Sequence, residues 1–283
     1  MALRLAPIDR WTLAYLAFAT AALVWPSRVR LREAMVILAG YALLAGVALS
    51  APALRRRGGI AGFLGEFYAL MAAVGLYTAI GLVNTSSGVS HDGVVQAWEQ
   101  AVFGGQPSRE WIRAAPWPWL SWILHAGYLS YYFILAGAPL ALWLSGRRDG
   151  ARRVTLAMMA TFYVCYAVFL LFPVAGPRYF FPPAANAATG TAIARLTHRL
   201  LDAGAAWGTA FPSSHVAVSL VAAGTAFHEW RPLGAILLVA ASLLTLGTVY
   251  GQLHYAVDAA AGACLAAAVV AVSRATMRAR IGG

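Results

Sequence analysis

Long apolar runs, separated by shorter polar segments, follow one another along the whole chain. A helix that crosses a bilayer needs about 20 apolar residues, and several of these runs are that long. Transmembrane β-strands would instead alternate apolar and polar residues. The pattern therefore predicts an all-α, polytopic integral membrane bundle of about eight spans. They are expected at residues 11–26, 32–53, 60–83, 119–144, 154–174, 214–229, 232–250 and 254–273.

The first run has a second interpretation, a cleaved signal peptide, because Arg4 and Arg10 precede its apolar stretch. No clean cleavage pattern leads into a soluble domain, and another span follows instead. We therefore expect an uncleaved anchor.

The composition supports a membrane protein and excludes a water-soluble globule. Of the 283 residues, 61% are hydrophobic and 11% are charged, and the mean hydropathy is +0.68. Soluble domains carry about 25% charged residues, so this chain has too few to cover a soluble surface. Cys165 and Cys264 both lie in apolar stretches, which favours small packed residues over a disulfide or a metal site.

The net charge is +11, and all of the positive charge comes from arginine, since the sequence contains no lysine. Basic proteins can bind nucleic acid, but here the arginines sit in short clusters between apolar runs, as in cytoplasmic loops of membrane proteins. A cytoplasmic N-terminus places more of the 21 arginines inside than outside, including the clusters at 55–57 and 147–153. The loop with Arg28, Arg30 and Arg32 goes against this orientation, and Arg278 and Arg280 favour it.

This topology puts both long loops, residues 84–118 and 175–213, outside the cell. The spacing of apolar residues predicts short amphipathic helices over 191–203 and 94–103. The small and polar segment 184–190 is expected to be a flexible linker.

Ionisable residues in or beside a span are costly and are often functional. His254 and Asp258 stand four residues apart at the start of the last span, so a helix would place them on one face. A carboxylate there can fix the imidazole tautomer and leave the other ring nitrogen free as a nucleophile or base. The alternative is a structural pair that seals the start of the helix.

A second cluster reads Pro212-Ser213-Ser214-His215 and leads from an outer loop into an apolar run. Proline and serine are typical of a helix start, where free backbone N–H groups favour an anion such as phosphate. His215 could supply a proton. The alternative is an ordinary capped helix with an interfacial histidine.

A third signal, Arg178, follows the fifth span on the same outer face. Its guanidinium group suits phosphate oxygens, although a single arginine there can also reach lipid head groups. Together the three clusters predict phosphoryl transfer through a phosphohistidine, and no metal cluster or cofactor motif competes with them.

These residues, in this order, resemble the type 2 phosphatidic acid phosphatase superfamily of phosphatases, lipid phosphotransferases and haloperoxidases. Its second motif, Pro-Ser-Gly-His, corresponds to residues 212–215. Its third motif, Ser-Arg-x(5)-His-x(3)-Asp, matches at His254 and Asp258. Its first motif, Lys-x(6)-Arg-Pro, matches only at Arg178. The resemblance implies a six-helix catalytic core over residues 59–283, preceded by an N-terminal helix pair over residues 1–58.

Two cations of the family pattern are missing, and one proline is replaced. Leu171 stands at the lysine position of the first motif, Thr248 at the arginine position of the third, and Tyr179 at the proline position. These positions vary in the inositol phosphorylceramide synthase and sphingomyelin synthase branch of the superfamily. This chain is similar to that branch at residues 176–179, 254–258 and 91–111. That similarity favours an inositolphosphotransferase-like enzyme over a plain phosphatase.

The resemblance implies a role for each matching residue. His254 would attack phosphorus, Asp258 would orient it, and His215 would transfer the proton. Phosphate oxygens would be held by Ser213, Ser214 and Arg178, with Tyr179 beside them. Arg195, Arg199 or Gln252 are candidates to replace the lost cations. The expected enzyme needs no metal or cofactor and acts on a lipid phosphoester with an alcohol or water as acceptor, at the outer face of a bacterial plasma membrane.

A rival from a different class is a lipid or anion transporter or flippase. It predicts paired broken helices and polar residues near the middle of the bilayer, and the sequence offers few of either.

Several other residues have simpler interpretations. His125 is expected to be a core histidine, and Tyr128 to pack or to lie in an aromatic belt. His91 and Asp92 read equally as substrate contacts or as a solvated loop. Glu66 is expected to pair with the arginine cluster at 55–57.

Overall fold

The computed structural model describes residues 4–24 and 29–281, with side chains as far as residue 276. Residues 25–26 of the first predicted span, Arg28, and the side chains of Arg278 and Arg280 lie outside this part. The regular secondary structure of the described chain is all helical, and one isolated parallel bridge joins Val174 and Thr209 in the loops. The helices are α1 (Pro7–Val24), α2 (Leu31–Arg57), α3 (Gly59–Ser87), α4 (Asp92–Phe103), α5 (Pro107–Ala114), α6 (Pro118–Leu144), α7 (Arg148–Leu171), α8 (Pro177–Phe180), α9 (Ala192–Gly204), α10 (Ser214–Glu229), α11 (Arg231–Tyr250) and α12 (Ala256–Ile281).

Each apolar run predicted as a span forms a helix, and the all-α fold class is confirmed. Within the described residues, six helices are long and apolar enough to cross a membrane: Leu31–Arg57, Gly59–Ser87, Pro118–Leu144, Arg148–Leu171, Arg231–Tyr250 and Ala256–Thr276. α1 contains Asp9 and Arg10, and α10 has 16 residues. The number of eight spans therefore stays a prediction. The amphipathic helices expected over 191–203 and 94–103 form as α9 and α4, while α5 and α8 were not predicted.

Helix α10 lies at the centre of the bundle, where it packs against α6, α7, α11 and α12. Its buried face is made of small residues that allow close packing, among them Ala217, Ala222, Ala223 and Ala226. The N-terminal pair joins the bundle from one side, α1 against α7 and α2 against α3. Cys165 is buried, whereas Cys264 is exposed, so the packing expected for Cys264 was wrong.

Partly buried ion pairs at the first-turn end of α7 fasten the N-terminal pair to the bundle. Arg55 donates to both carboxylate oxygens of the buried Asp9 at 2.7 Å. Glu66 lies 3.6 Å from Arg55, as the sequence suggested, and accepts from Arg152 at 2.5 Å. These contacts connect α1, α2, α3 and α7.

Helices α6 and α11 cross at a point where both backbones touch. A Cβ atom on Gly247 would come within 2.2 Å of the Leu124 carbonyl oxygen, and one on Gly127 within 2.7 Å of Leu243. The crossing lies directly before the loop that carries His254, so it sets the distance between α6 and that loop.

We expect Gly247→Ala to destabilise the protein by roughly 2 kcal/mol, because the added methyl group forces two backbones apart. Thermal unfolding in detergent measures the effect. Gly137→Ala on the same α6 is the control, since nothing lies within 4 Å of its Cβ position. Equal unfolding temperatures for the two variants would contradict this close contact.

Candidate active site

The loop after α11 holds His254 against the first turn of α12. The His254 backbone N–H donates to the Thr248 carbonyl oxygen at 3.0 Å, and the residue is 5% exposed. Its Nδ1 lies 3.4 Å from Oδ2 of Asp258. The sequence placed both residues on one helix. The helix begins only at Ala256, so the loop, and not helical periodicity, brings the ring to the carboxylate.

Asp258 is fully buried and is oriented by the backbone. Its Oδ2 accepts the Tyr255 N–H at 2.9 Å, while Oδ1 has no hydrogen-bond partner among the described residues. A carboxylate beside Nδ1 favours the tautomer with the proton on that nitrogen. The lone pair of Nε2 is then left free.

The start of α10 lies directly against the start of α12. Ser213 caps α10 by accepting the Val216 N–H, and its own N–H donates to the Asp258 carbonyl oxygen at 3.0 Å. A Cβ atom on Gly262 would lie 2.6 Å from the Ser213 carbonyl oxygen, so only glycine allows this approach. Ser213 and Ser214 are both buried here.

This contact brings the two predicted histidines together. The ring centroids of His215 and His254 are 5.6 Å apart. On its other side, His215 packs against Tyr131 at 4.4 Å, and its Nε2 lies 3.5 Å from the Tyr128 hydroxyl. Its buried Nδ1 has no partner in the described chain. Tyr128, expected to pack or to lie in an aromatic belt, is thus a neighbour of His215.

Arg178 lies on the short helix α8, directly after the turn at Gly176. It forms an ion pair with Asp202 of α9 and lies over the Tyr179 ring at 5.3 Å. Its Nη1 is buried and has no hydrogen-bond partner among the described atoms. One donor is therefore available to an anion.

The other predicted substrate contacts are used differently. Gln252 accepts from Arg113 at 3.2 Å and lies near the Phe181 and Pro182 carbonyl oxygens, so it holds the loop in place. Arg195 is exposed and donates to the Gly190 carbonyl oxygen. Arg199 is also exposed. Within the described structure, neither arginine contacts either imidazole.

The two missing motif cations have structural substitutes that carry no charge. Thr248 is buried, and its hydroxyl donates to the Thr245 carbonyl oxygen at 2.7 Å. Leu171 is 62% exposed at the end of α7, on the outside of the bundle.

Helix α4 fixes the site from outside the bundle, which sequence reasoning missed. Asp92 is buried and accepts the N–H groups of Ala175 and Gly176 at 2.7 and 2.8 Å, and the Tyr255 hydroxyl at 2.9 Å. It is therefore neither a solvated loop residue nor exposed to substrate. One carboxylate ties the turn before Arg178 to the residue after His254.

Glu99, two turns later on α4, binds the start of α12. Its Oε1 accepts the Ala256 N–H at 2.7 Å, and its Oε2 accepts the Ser108 hydroxyl at 2.9 Å. Burial raises the pKa of Glu99, and these hydrogen bonds oppose that shift. The signal in the sequence was the spacing of two carboxylates on one face of an amphipathic helix.

The environment of His254 favours its neutral form. Burial lowers the pKa of its imidazole to about 4, and a hydrogen bond with the Ala210 backbone opposes the shift. A neutral ring is the form that can act as a nucleophile.

A family model described as the PAP2 superfamily matches residues 94–272 of the 283-residue chain. Because the match covers more than half of the chain, the protein belongs to the PAP2 superfamily. This superfamily generally comprises phosphatases, and membership supports a function of the lipid phosphatase or phosphotransferase type. No curated protein and no solved structure matches the chain.

We expect Asp92→Asn to reduce turnover of a lipid phosphoester by about 100-fold, because its amide nitrogen faces a donor and the turn before Arg178 shifts. Thermal unfolding and kinetics on the same preparation separate this effect from misfolding. Gln96→Ala is the control, since Gln96 donates to the same Tyr255 hydroxyl at 3.0 Å but does not bind the turn. Unchanged turnover in Asp92→Asn would show that the carboxylate does not position the site.

Proposed function

We propose that this protein is an integral membrane phosphotransferase that moves a phosphoryl-containing head group from a lipid phosphoester to an alcohol. The observation that carries the proposal is the pair of imidazoles 5.6 Å apart, with Asp258 behind His254. One phosphorus atom can lie between two rings at that separation. One ring then attacks phosphorus, and the other donates a proton to the oxygen that leaves.

In the first step Nε2 of His254 attacks phosphorus and the bond to the lipid oxygen breaks. The imidazolium form of His215 gives a proton to that oxygen, so the lipid alcohol leaves uncharged and the His215 ring becomes neutral. Asp258 stabilises the positive charge that develops on the His254 ring. The product is a phosphohistidine that carries the transferred group.

In the second step an alcohol oxygen attacks the same phosphorus and the N–P bond breaks. His215 takes the alcohol proton, which restores both histidines. The burial of His254 and the resemblance at 176–179 and 254–258 favour an alcohol as the acceptor. With water as the acceptor, the same residues would form a lipid phosphate phosphatase, which the family as a whole favours.

Hydrogen-bond donors and one cation would stabilise the negative charge of the phosphate. The start of α10 offers free N–H groups and the hydroxyls of Ser213 and Ser214. The unpartnered Nη1 of Arg178 adds a charged donor from α8. Such donors can stabilise a phosphoryl transition state without a metal.

The distribution of arginine supports an extracytoplasmic site. Arg55 and Arg152 lie at the opposite end of α7 from the Arg178 turn, and clusters of this kind mark the cytoplasmic side. We infer a bacterial plasma membrane and eight spans, with α1 and α10 included. We also infer a catalytic core over 59–283, within which the family match falls.

The test gives purified protein a labelled lipid phosphodiester, with and without a lipid alcohol. We expect labelled head group on the alcohol in the wild type, and a loss of at least about 10³-fold in His254→Ala. Vanadate, which resembles pentacoordinate phosphorus, should inhibit the reaction. If the label is released only as the free head group, the reaction is hydrolysis and not transfer. Normal turnover in His254→Ala would exclude the mechanism.

The acid limb of the pH profile provides a separate test. His254 must be neutral to attack, and burial lowers its pKa to about 4, so kcat/KM should still be high at pH 5.5. An ordinary histidine of pKa about 6.5 would leave only about a tenth of the rings neutral there. A phosphodiester donor is required, because its phosphate does not titrate in this range. A midpoint near 6.5 would contradict the buried environment of the ring.

A further inference from the structure

A cavity of about 260 Å³ lies at the arginine-rich end of the bundle, far from the two histidines. It is bordered by the turn between α2 and α3 on one side and by the ends of α6 and α7 on the other. The 24 residues of α7 separate it from the Arg178 turn by about 36 Å, so the two places face opposite sides of the membrane.

The lining of this cavity carries more positive than negative charge. It contains the guanidinium groups of Arg55, Arg148 and Arg152, and the single carboxylate of Glu66. Arg55 and Arg152 are partly neutralised by Asp9, Glu66 and Asp149. Arg148 has no carboxylate partner among the described residues and lies over the Trp143 ring at 4.9 Å.

The shape of the cavity also leaves room for a head group. Gly58 and Gly59 line it, and no atom of the described residues lies within 4 Å of the Cβ position of either one. A second cavity of about 520 Å³ shares Arg55, Glu66 and Arg152 with the first and continues along Ile8 and Leu156. The two cavities thus meet at these three side chains, and the second adds the apolar Ile8 and Leu156 together with the charged Asp149 and Arg153.

We propose that this cavity binds the phosphate-bearing head group of an anionic phospholipid from the leaflet opposite the histidines. Arg148 supplies the unpaired cation, and Arg55 and Arg152 complete the ring of donors around the phosphate. The apolar stretch by Ile8 and Leu156 accommodates part of the lipid tail. The bound lipid would connect the α2–α3 turn with α7, and it is independent of the proposed reaction.

Native mass spectrometry of the purified protein in an uncharged detergent tests the proposal. Phosphatidylglycerol, phosphatidylcholine and inorganic phosphate are added in separate arms. We expect the wild type to retain phosphatidylglycerol in preference to phosphatidylcholine, and Arg148→Ala to bind it about tenfold more weakly. Arg148→Lys should recover part of the binding, because the charge is kept.

Arg147→Ala is a matched control. Arg147 is the neighbouring exposed arginine and also lies over a tryptophan, Trp230 at 5.4 Å, but it does not line the cavity. Equal losses in the Arg147 and Arg148 alanine variants would mean a diffuse surface charge and would overturn the site. The same conclusion follows if the wild type retains both lipids equally. Binding of inorganic phosphate without phosphatidylglycerol would exclude the lipid.

Discussion

The contact between the first turns of α10 and α12 is the constraint on which the site depends. Ser213 donates its N–H to the Asp258 carbonyl oxygen, and Gly262 leaves the space that this approach requires. Because Ser213 begins α10, the same contact aims His215 at His254 and exposes the free N–H groups of α10 beside them. Two motifs that are about 40 residues apart in sequence are thus brought together by one backbone hydrogen bond and one close helix contact.

The sequence predicted the helices well, because eight apolar runs separated by arginine, proline and glycine leave few alternatives. It also selected the residues that meet, His215, His254 and Asp258, because ionisable groups are rare in this chain and therefore conspicuous. The exact start of α12 was missed by two residues. His254 is still paired with Asp258, as predicted, because the Tyr255 N–H holds the carboxylate in place.

The contributions of α4 and α5 could not be predicted from spacing alone. Asp92 and Glu99 act on backbone N–H groups that are about 80 and 160 residues away in sequence. No local pattern marks such partners, since a backbone donor carries no sequence signature. For the same reason the sequence suggested that Gln252 contacts substrate, although its side-chain amide binds Arg113 and two carbonyl oxygens.

The absence of the third-motif arginine is linked to the close crossing of α6 and α11. Gly247 and Thr248 occupy that stretch, and neither extends a long side chain towards α6. The Leu124 backbone can therefore approach Gly247, and α6 then carries Tyr128 to His215 and His125 to the loop before His254. A Cβ atom on Gly251 would lie 3.3 Å from His125 Nε2. Where the family motif has a charged side chain, this chain therefore has polar rings from α6 close to His215 and to the loop before His254.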